Sequence, residues 1–600
     1  MVWRTKSIDQ VQAEYDRGEL RRSLGPIHLV LLGIGCIIGA GIFVRTGTAA
    51  ALHAGPAVMI SFVIAGVVCA FAGLCYAELA SVLPVSGSAY TYSYTTVGEF
   101  GAWIMGSLLL LEYGLAASVV AVGWSGYAIS LLHDLGLNIP AEYTQALGKL
   151  VVAEATAFDV VNPFVSLNGV TAQLADGSVA QFLSSSSAQL TGTYPAALAM
   201  YDVVGGAPGA YSLTNAVDIV LGQDTRTVLT AATNVIEPAT GQLRGLAAGT
   251  SVVAPMGAAV QLPVGSVVPV LGADVVVSAF NVPAVAVVAA VTLLLVIGVH
   301  ESATANNIIV AIKVAVILAF IAVGAFFVNA NNWQPFIPEP TGEPGVFGWD
   351  GILRAATIVF FAYIGFEAVS TAGQEAHDPR RDMPFGILGS LIICTILYMA
   401  TAAVLTGVVP FAKLNVAAPV ATAVDTFGPE WAWLAASIKV GAIAGLSSVI
   451  LVLMFGQTRV FYTMSRDGLM PSALARVHPR FKTPWINTLI VGVVVALGAA
   501  VFDINTLGDL TSVGTLAAFA MVCMAVMWLR RVRPDLPRHF KTPFYPITPV
   551  LGIISCLLLI TQVEKRVLVF FAWFMAGAIV LYFLYGYWSS PLRTRAPARI

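Results

Sequence analysis

Gly33-Ile34-Gly35-Cys36-Ile37-Ile38-Gly39-Ala40-Gly41-Ile42-Phe43 lies inside an apolar run, and four glycines within nine positions cost a helix about 1 kcal/mol each relative to alanine. Two readings are open: a helix broken inside hydrocarbon, or a helix packed closely on its neighbours through small residues. Unwound backbone at membrane depth persists only where it lines a cavity or the protein interior, where freed N–H and C=O groups are available to a ligand. A second interrupted run, Phe360-Phe361-Ala362-Tyr363-Ile364-Gly365-Phe366-Glu367, follows further along and favours the break. Paired breaks at matching places in two halves imply an inverted repeat of five plus five helices, with ligand held between the first and the sixth. Half-helix amino ends attract a carboxylate and exposed carbonyls hold an ammonium group, so a zwitterionic amino acid answers both.

Outward from these breaks, apolar stretches recur along most of the 600 residues, from Ile27–Phe43 to Val567–Tyr587. Only 10% of the chain is charged, against roughly a quarter in a soluble protein, so the composition points to lipid and away from a water-facing surface. With about 20 apolar residues per crossing, about twelve helical spans fit, and the alternating pattern of a barrel is missing. The expected fold is an all-α integral membrane protein carrying a β-containing extracytoplasmic insert between helices 3 and 4. A cytoplasmic segment covers 1–26, spans 1–3 cover 27–132, the insert covers 133–280, spans 4–12 cover 281–590, and a cytoplasmic tail covers 591–600. The first apolar run shows no cleavage pattern and is expected to be retained as a span. Basic residues gather on alternate loops: Arg4, Lys6, Arg17, Arg21 and Arg22, then Arg380 and Arg381, then Arg466, Arg476, Arg480 and Lys482, then Arg530, Arg531, Arg533, Arg538 and Lys541. That distribution predicts both termini inside, in a multi-pass protein of the cell membrane, although Lys565 and Arg566 run against it. The insert is poor in Lys and Arg (Lys149, Arg226, Arg244) and carries short Val-rich stretches such as Val264–Val270, which read as strands.

Two ionisable residues sit deep in apolar runs, Glu112 within Leu108–Val122 and Lys313 within Ile308–Phe320. A charge at the bilayer centre normally faces a partner, a cavity or a translocation path. Lysine, whose amine exchanges a proton when buried, is the better proton carrier, with Glu112 beside it in the proton-coupling assignment. The plainer readings are a permanently charged lysine satisfying helix carbonyls and a structural acid bonded between helices. Lys439, nearer a span end, is expected to snorkel. Glu78, Glu301, Glu375 and Asp467, with His28, His300 and His377, stand at span edges. No metal spacing joins the histidines to the six cysteines, Cys36, Cys69, Cys75, Cys394, Cys523 and Cys556, which read as packing residues. No metal and no cofactor are implied beyond a proton as coupling ion. A net charge of −2 gives no reason to expect nucleic acid; the partners are lipid and a small amino acid, and oligomeric state is left open.

Five ordered stretches, Leu24–Gly47, Cys75–Gly98, Leu111–Tyr127, Phe360–Pro384 and Arg459–Leu469, make the chain outside the insert resemble the amino acid, polyamine and organocation permeases. Within them it is most similar to the cationic amino acid transporter branch with its bacterial relatives. The resemblance implies the leucine-transporter fold of ten core helices plus two, working by alternating access. It implies a substrate carboxylate at the amides of Gly39, Ala40 and Gly41, and an amino group at the carbonyls of Ile37, Phe361, Ala362 and Ile364. Tyr363 and Phe366 are implied to close over the side chain. Lys313 is implied to stand where other members hold sodium, near Gly33 and near Ser447 and Ser448. Glu367 occupies a position usually held by Asp, Gln374-Glu375 one of paired acids, and Ala40 one of a hydroxyl residue or glycine.

The expected function is a proton-coupled symporter of L-amino acids, neutral in preference to cationic. An obligate exchanger with a structural Lys313 is the alternative, and a ligand sensor using the insert is the rival from another class. An enzyme is not expected, because the spans carry no nucleophile dyad, metal cluster or cofactor motif.

Overall fold

Gly25 in extended backbone followed by Pro26 opens the first helix, because proline at the first helical position gives up only an N–H that has no partner there. The computed structural model describes residues 5, 24–83, 88–148, the strands of 150–277 with 247 and 250, 278–298, 303–340, 342, 344–373 and 375–590. His300, Glu301 and Gln374, Lys149, most of the segment before Leu24 and the tail 591–600 lie outside the described residues.

The chain is mostly helical. In order come α1 (Pro26–Ile37), α2 (Val58–Val82), α3 (Glu99–Asp134), α4 (Val282–Ile297), α5 (Ala303–Gly324), α6 (Gly348–Phe360), α7 (Pro379–Val408), α8 (Ala432–Arg466), α9 (Trp485–Val501), α10 (Ile504–Val532), α11 (Ile547–Thr561) and α12 (Lys565–Leu581). Eight helical stretches among the described residues are long and apolar enough to cross a membrane, and four shorter apolar helices, α1, α4, α9 and α11, accompany them. Large apolar side chains such as Val493, Leu497, Ile554 and Trp573 stand exposed on the outer faces, as lipid contact requires. Local signals start several helices: Asp378 accepts from Arg380 N before Pro379, and Asp503 accepts from Asn505 N and Thr506 N at the start of α10.

Contiguous packing falls into a pattern. Helix α2 packs on α7, α3 on α8 and α4 on α9, while α1 meets α6 where each is interrupted. Small residues allow the approach: a Cβ on Gly492 of α9 would lie 2.3 Å from the hydroxyl of Thr292 on α4. At one end of the bundle Glu78 ties α2 to α10, accepting from Arg530 Nε at 2.8 Å and from Thr542 N at 2.8 Å. All six cysteines are buried and none is in a disulfide.

The chain divides into two compact units, one holding the helices and one formed by Ile139–Asn281 with Ala412–Val416. Within the second, short strands pair antiparallel in sheets of seven, ten and two among the described residues. Its first and last strands meet, Leu150 opposite Val277 and Val152 opposite Val275, and the flanking backbone is stitched by Gly148 N to Ser278 O at 2.9 Å and Ala279 N to Glu142 O at 2.7 Å.

Candidate functional site

Helix α1 stops at Ile37 because Ile38 turns to extended backbone, φ −72° and ψ 101°, and helical winding resumes through Ala40 at Gly41–Arg45. A helix end leaves its last carbonyls without helical partners, and here they face protein. Lys313 Nζ on α5, 1% exposed, donates to Gly35 O at 2.9 Å and to Ile38 O at 3.4 Å. Tyr398 Oη on α7 lies 2.9 Å from both Ile37 O and Ala362 O. A phenol has one proton to donate, so this hydroxyl serves one carbonyl of each break in alternation.

The second break follows the same logic. Helix α6 ends at Phe360, a tight turn covers Phe361–Tyr363, Ile364 is extended, and Gly365 at φ 116° adopts a conformation that residues with a Cβ rarely adopt. Its N–H donates to Glu367 Oε2 at 2.9 Å. The two breaks touch through backbone: a Cβ on Gly41 would sit 2.2 Å from Ala362 Cα, and one on Gly365 would sit 2.9 Å from the carbonyl of Cys36. Replacing Gly41 by alanine should therefore drive the breaks apart at about 1–3 kcal/mol, the usual cost of an overpacked methyl, and reduce uptake by an order of magnitude or more. Uptake by a folded Gly41→Ala protein at the wild-type rate would contradict this reading of the contact.

Around the first break the side chains are apolar. Phe43 meets Tyr127 edge to face, with Tyr127 Oη donating to Phe43 O at 2.8 Å, Val449 of α8 stands 3.4 Å from where a Gly39 Cβ would be, and Gly123 of α3 opens space beside Ala40 and Val44. A cavity of about 60 Å³ adjoins the second break, lined by Cys36, Tyr113, Gly365, Thr371, Val449 and Leu453. Room for a few waters is the measure of that space.

The structure joins Gly41 to Ala362 by close backbone approach and Ile37 to Ala362 through Tyr398, while Gly39 faces Val449 and Ala40 faces Gly123. Tyr363 and Phe366 turn elsewhere, Tyr363 donating to Phe62 O of α2 at 2.8 Å and Phe366 packing between Tyr76 and Phe519. Gly33 faces Ser390 and Val369 of the neighbouring elements, while Ser447 and Ser448 bond back to Ile443 O and Gly445 O of their own helix. Ser447 also accepts from Trp124 Nε1 at 2.9 Å, and a Cβ on Gly445 would lie 3.0 Å from the Lys313 methylenes, so glycine there leaves room for the lysine stem. Glu112 sits on a widened turn of α3, Leu110–Leu115, fully buried, near Glu367 and with no hydrogen-bond partner for either carboxyl oxygen among the described residues.

The sequence reading missed a buried ion cluster. Asp509 on α10 binds Arg45 Nη2 at 2.8 Å, just beyond the first break, and Arg354 Nη2 on α6, and all three are at most 5% exposed. Arg45 also lies over the Phe361 ring at 5.9 Å. The available signal was a charge inside each of three apolar runs, the same sign that singled out Glu112 and Lys313. Lys439 differs from its expectation: it is 1% exposed and meets Asp134 at 2.6 Å and Asp425 at 3.4 Å, so ion pairing holds it inside where snorkelling to water was expected. Partial burial holds the Asp425 carboxyl above its usual range while Lys439 pulls it down. Among the described residues no group of His, Cys, Asp and Glu is arranged to hold a metal.

The family described as amino acid permease matches residues 24–585. The chain is 38% identical over 587 residues to the branched-chain amino acid permease BcaP of Bacillus subtilis (strain 168), covering 97% of each. It is 36% identical over 585 residues to the methylthioribose transporter of the same organism, again covering 97% of each. With the chloroplastic cationic amino acid transporter 9 of Arabidopsis thaliana the identity is 31% over 512 residues, 85% of this chain and 67% of that one.

Proposed function

The chain belongs to the amino acid permease family, and from that premise we propose that it is a proton-coupled symporter of neutral L-amino acids that works by alternating access. As an amino acid transporter of the membrane it is a permease and not an enzyme. The observation that carries proton coupling is Lys313, whose buried ammonium group holds Gly35 O and Ile38 O of the first break. Charge on that amine is thereby linked to the shape of the backbone that would grip the substrate. Gly39, Ala40 and Gly41 would offer amides to the carboxylate, and carbonyls at Ile37, Phe361, Ala362 and Ile364 would take the ammonium group, which favours an L-amino acid whatever its side chain. The walls at Phe43, Val44, Val449 and Gly123 are apolar and suit an aliphatic side chain, in keeping with the name of the BcaP relative. Glu112 beside Glu367 is the second proton-carrying candidate.

The architecture proposed for this activity is twelve spans, five plus five inverted with two appended. Packing of α2, α3 and α4 each on the helix five places later, together with the meeting of α1 and α6, supports that repeat. The strand-bearing segment is assigned to the extracytoplasmic side and both termini to the cytoplasm, in the cell membrane, from the distribution of Lys and Arg.

Uptake of labelled amino acids into proteoliposomes, with acid outside, tests the reading. Accumulation of leucine, isoleucine or valine that rises with the imposed gradient is the expected result. Counterflow against preloaded substrate with no response to the gradient would make the protein an exchanger. Methylthioribose belongs in the panel because one relative at similar identity carries that name.

A further inference from the structure

The Arg45–Asp509–Arg354 cluster holds two guanidinium groups against one buried carboxylate. Asp509 Oδ1 accepts from Arg45 Nη2 at 2.8 Å and its Oδ2 from Arg354 Nη2. The rest of Arg45 Nη1 is spent on neutral acceptors, Ile504 O at 3.1 Å, Asn505 O at 3.3 Å and Asn505 Oδ1 at 3.4 Å. Arg45 Nε and Arg354 Nη1 are buried donors with no hydrogen-bond acceptor among the described residues. Beyond Asp509, the carboxylates among the described residues that act on this charge are Asp503, at longer range on Arg45, and Glu564, whose Oε1 lies 3.9 Å from Arg354 Nη2 on a side chain 68% exposed that precedes the first residue of α12. A buried guanidinium seeks full pairing, because an uncompensated charge in a dry site is costly and its N–H fork matches oxygen and halide acceptors.

We propose that Arg45 and Arg354 form a second ligand site, distinct from the two helix breaks, for a small monovalent anion entering from the side on which Glu564 is exposed. The anion exchanges with the Glu564 carboxylate at Arg354 and supplies the charge that Asp509 alone does not. Inorganic chloride and the carboxylate of a free small acid share this chemistry. Because the arginines lie on the far sides of both breaks and are joined through α10, occupancy of the site draws the two broken helices and α10 together.

The test uses the purified full chain in detergent, titrated with sodium chloride or sodium acetate against a bulky sulfonate at constant ionic strength, with thermal unfolding as readout. Saturable stabilisation by chloride identifies an inorganic anion, and saturable stabilisation by acetate alone identifies a carboxylate. Either response should vanish in Arg354→Gln. Glu564→Gln leaves all three buried groups in place and removes the competing carboxylate, so the half-saturating concentration should fall by about two- to fivefold, the worth of an exposed ion pair. A wild-type response that follows ionic strength only, or a half-saturating concentration that Glu564→Gln leaves unchanged, overturns the proposal. The readout does not depend on transport, so its failure and that of the symport assignment can be told apart.

Discussion

Alanine at position 313 should abolish proton-driven uptake while substrate still binds. The ammonium group of Lys313 spans Gly35 O and Ile38 O, the two carbonyls that bracket Ile37, and Ile37 O in turn takes the Tyr398 hydroxyl that also reaches Ala362 O. A gain or loss of the proton on that amine is felt first by the end of α1 and then, through Tyr398, by the second break. Hydrogen bonds to a charged group contribute about 1.5–3 kcal/mol each, so losing one shifts a conformational equilibrium about tenfold or more. Arginine at the same position keeps its charge at any working pH. Lys313→Arg should therefore bind substrate and carry out little gradient-driven uptake, while Lys313→Ala should show uptake indifferent to the gradient. Binding measured by calorimetry, beside uptake in acid-outside proteoliposomes, separates the two. A Lys313→Ala protein that responds to the gradient as wild type does would remove lysine from the coupling scheme.

The second large effect is on stability. Asp509→Asn leaves Arg45 and Arg354 facing each other in a site where neither is more than 5% exposed. Breaking a buried pair by removing one partner costs about 3–5 kcal/mol, a large fraction of the 5–15 kcal/mol that typically holds a protein folded. The expected outcome is a collapse in the yield of monodisperse protein on size exclusion and a thermal midpoint lowered by several degrees. Removing a cation together with the anion should recover much of the loss, so Arg45→Leu combined with Asp509→Asn should be more stable than Asp509→Asn alone. Equal stability of Asp509→Asn and wild type would mean that the Asp509 carboxylate contributes nothing to holding these helices together.

The position of both breaks was legible because glycine at Gly33, Gly35, Gly39 and Gly41, and at Gly365, is dear to a helix and cheap to a turn. That Lys313 would approach the first helix was legible only through resemblance, and near Gly33. The structure puts its donors at Gly35 and Ile38, where the helix ends, because the orphan carbonyls are those of the last turn and Gly33 lies before them. The Arg45–Asp509–Arg354 cluster was not legible. Its members are separated by 464 and 155 residues, and a charge in an apolar run says that a partner exists without saying where. The aromatic rings of Tyr363 and Phe366 follow from a family motif in sequence, yet their direction depends on α2 and α10, which offer Phe62 O and the Tyr76–Phe519 pair. Strand register between 150 and 277 was equally hidden, since the first strand pairs with the last.

That last pairing bears on chain entropy. The cost of closing a flexible loop grows slowly, about 0.6 kcal/mol for each doubling of its length, but it is charged against whatever must hold the ends together. Here Leu150 opposite Val277, Gly148 N on Ser278 O and Ala279 N on Glu142 O close the excursion from within. The long segment between α3 and α4 therefore behaves, for the helices it joins, as a short tether. Residues gained or lost between Val152 and Val275 are absorbed inside a loop already clasped at its neck, and the distance the helices must bridge stays the same.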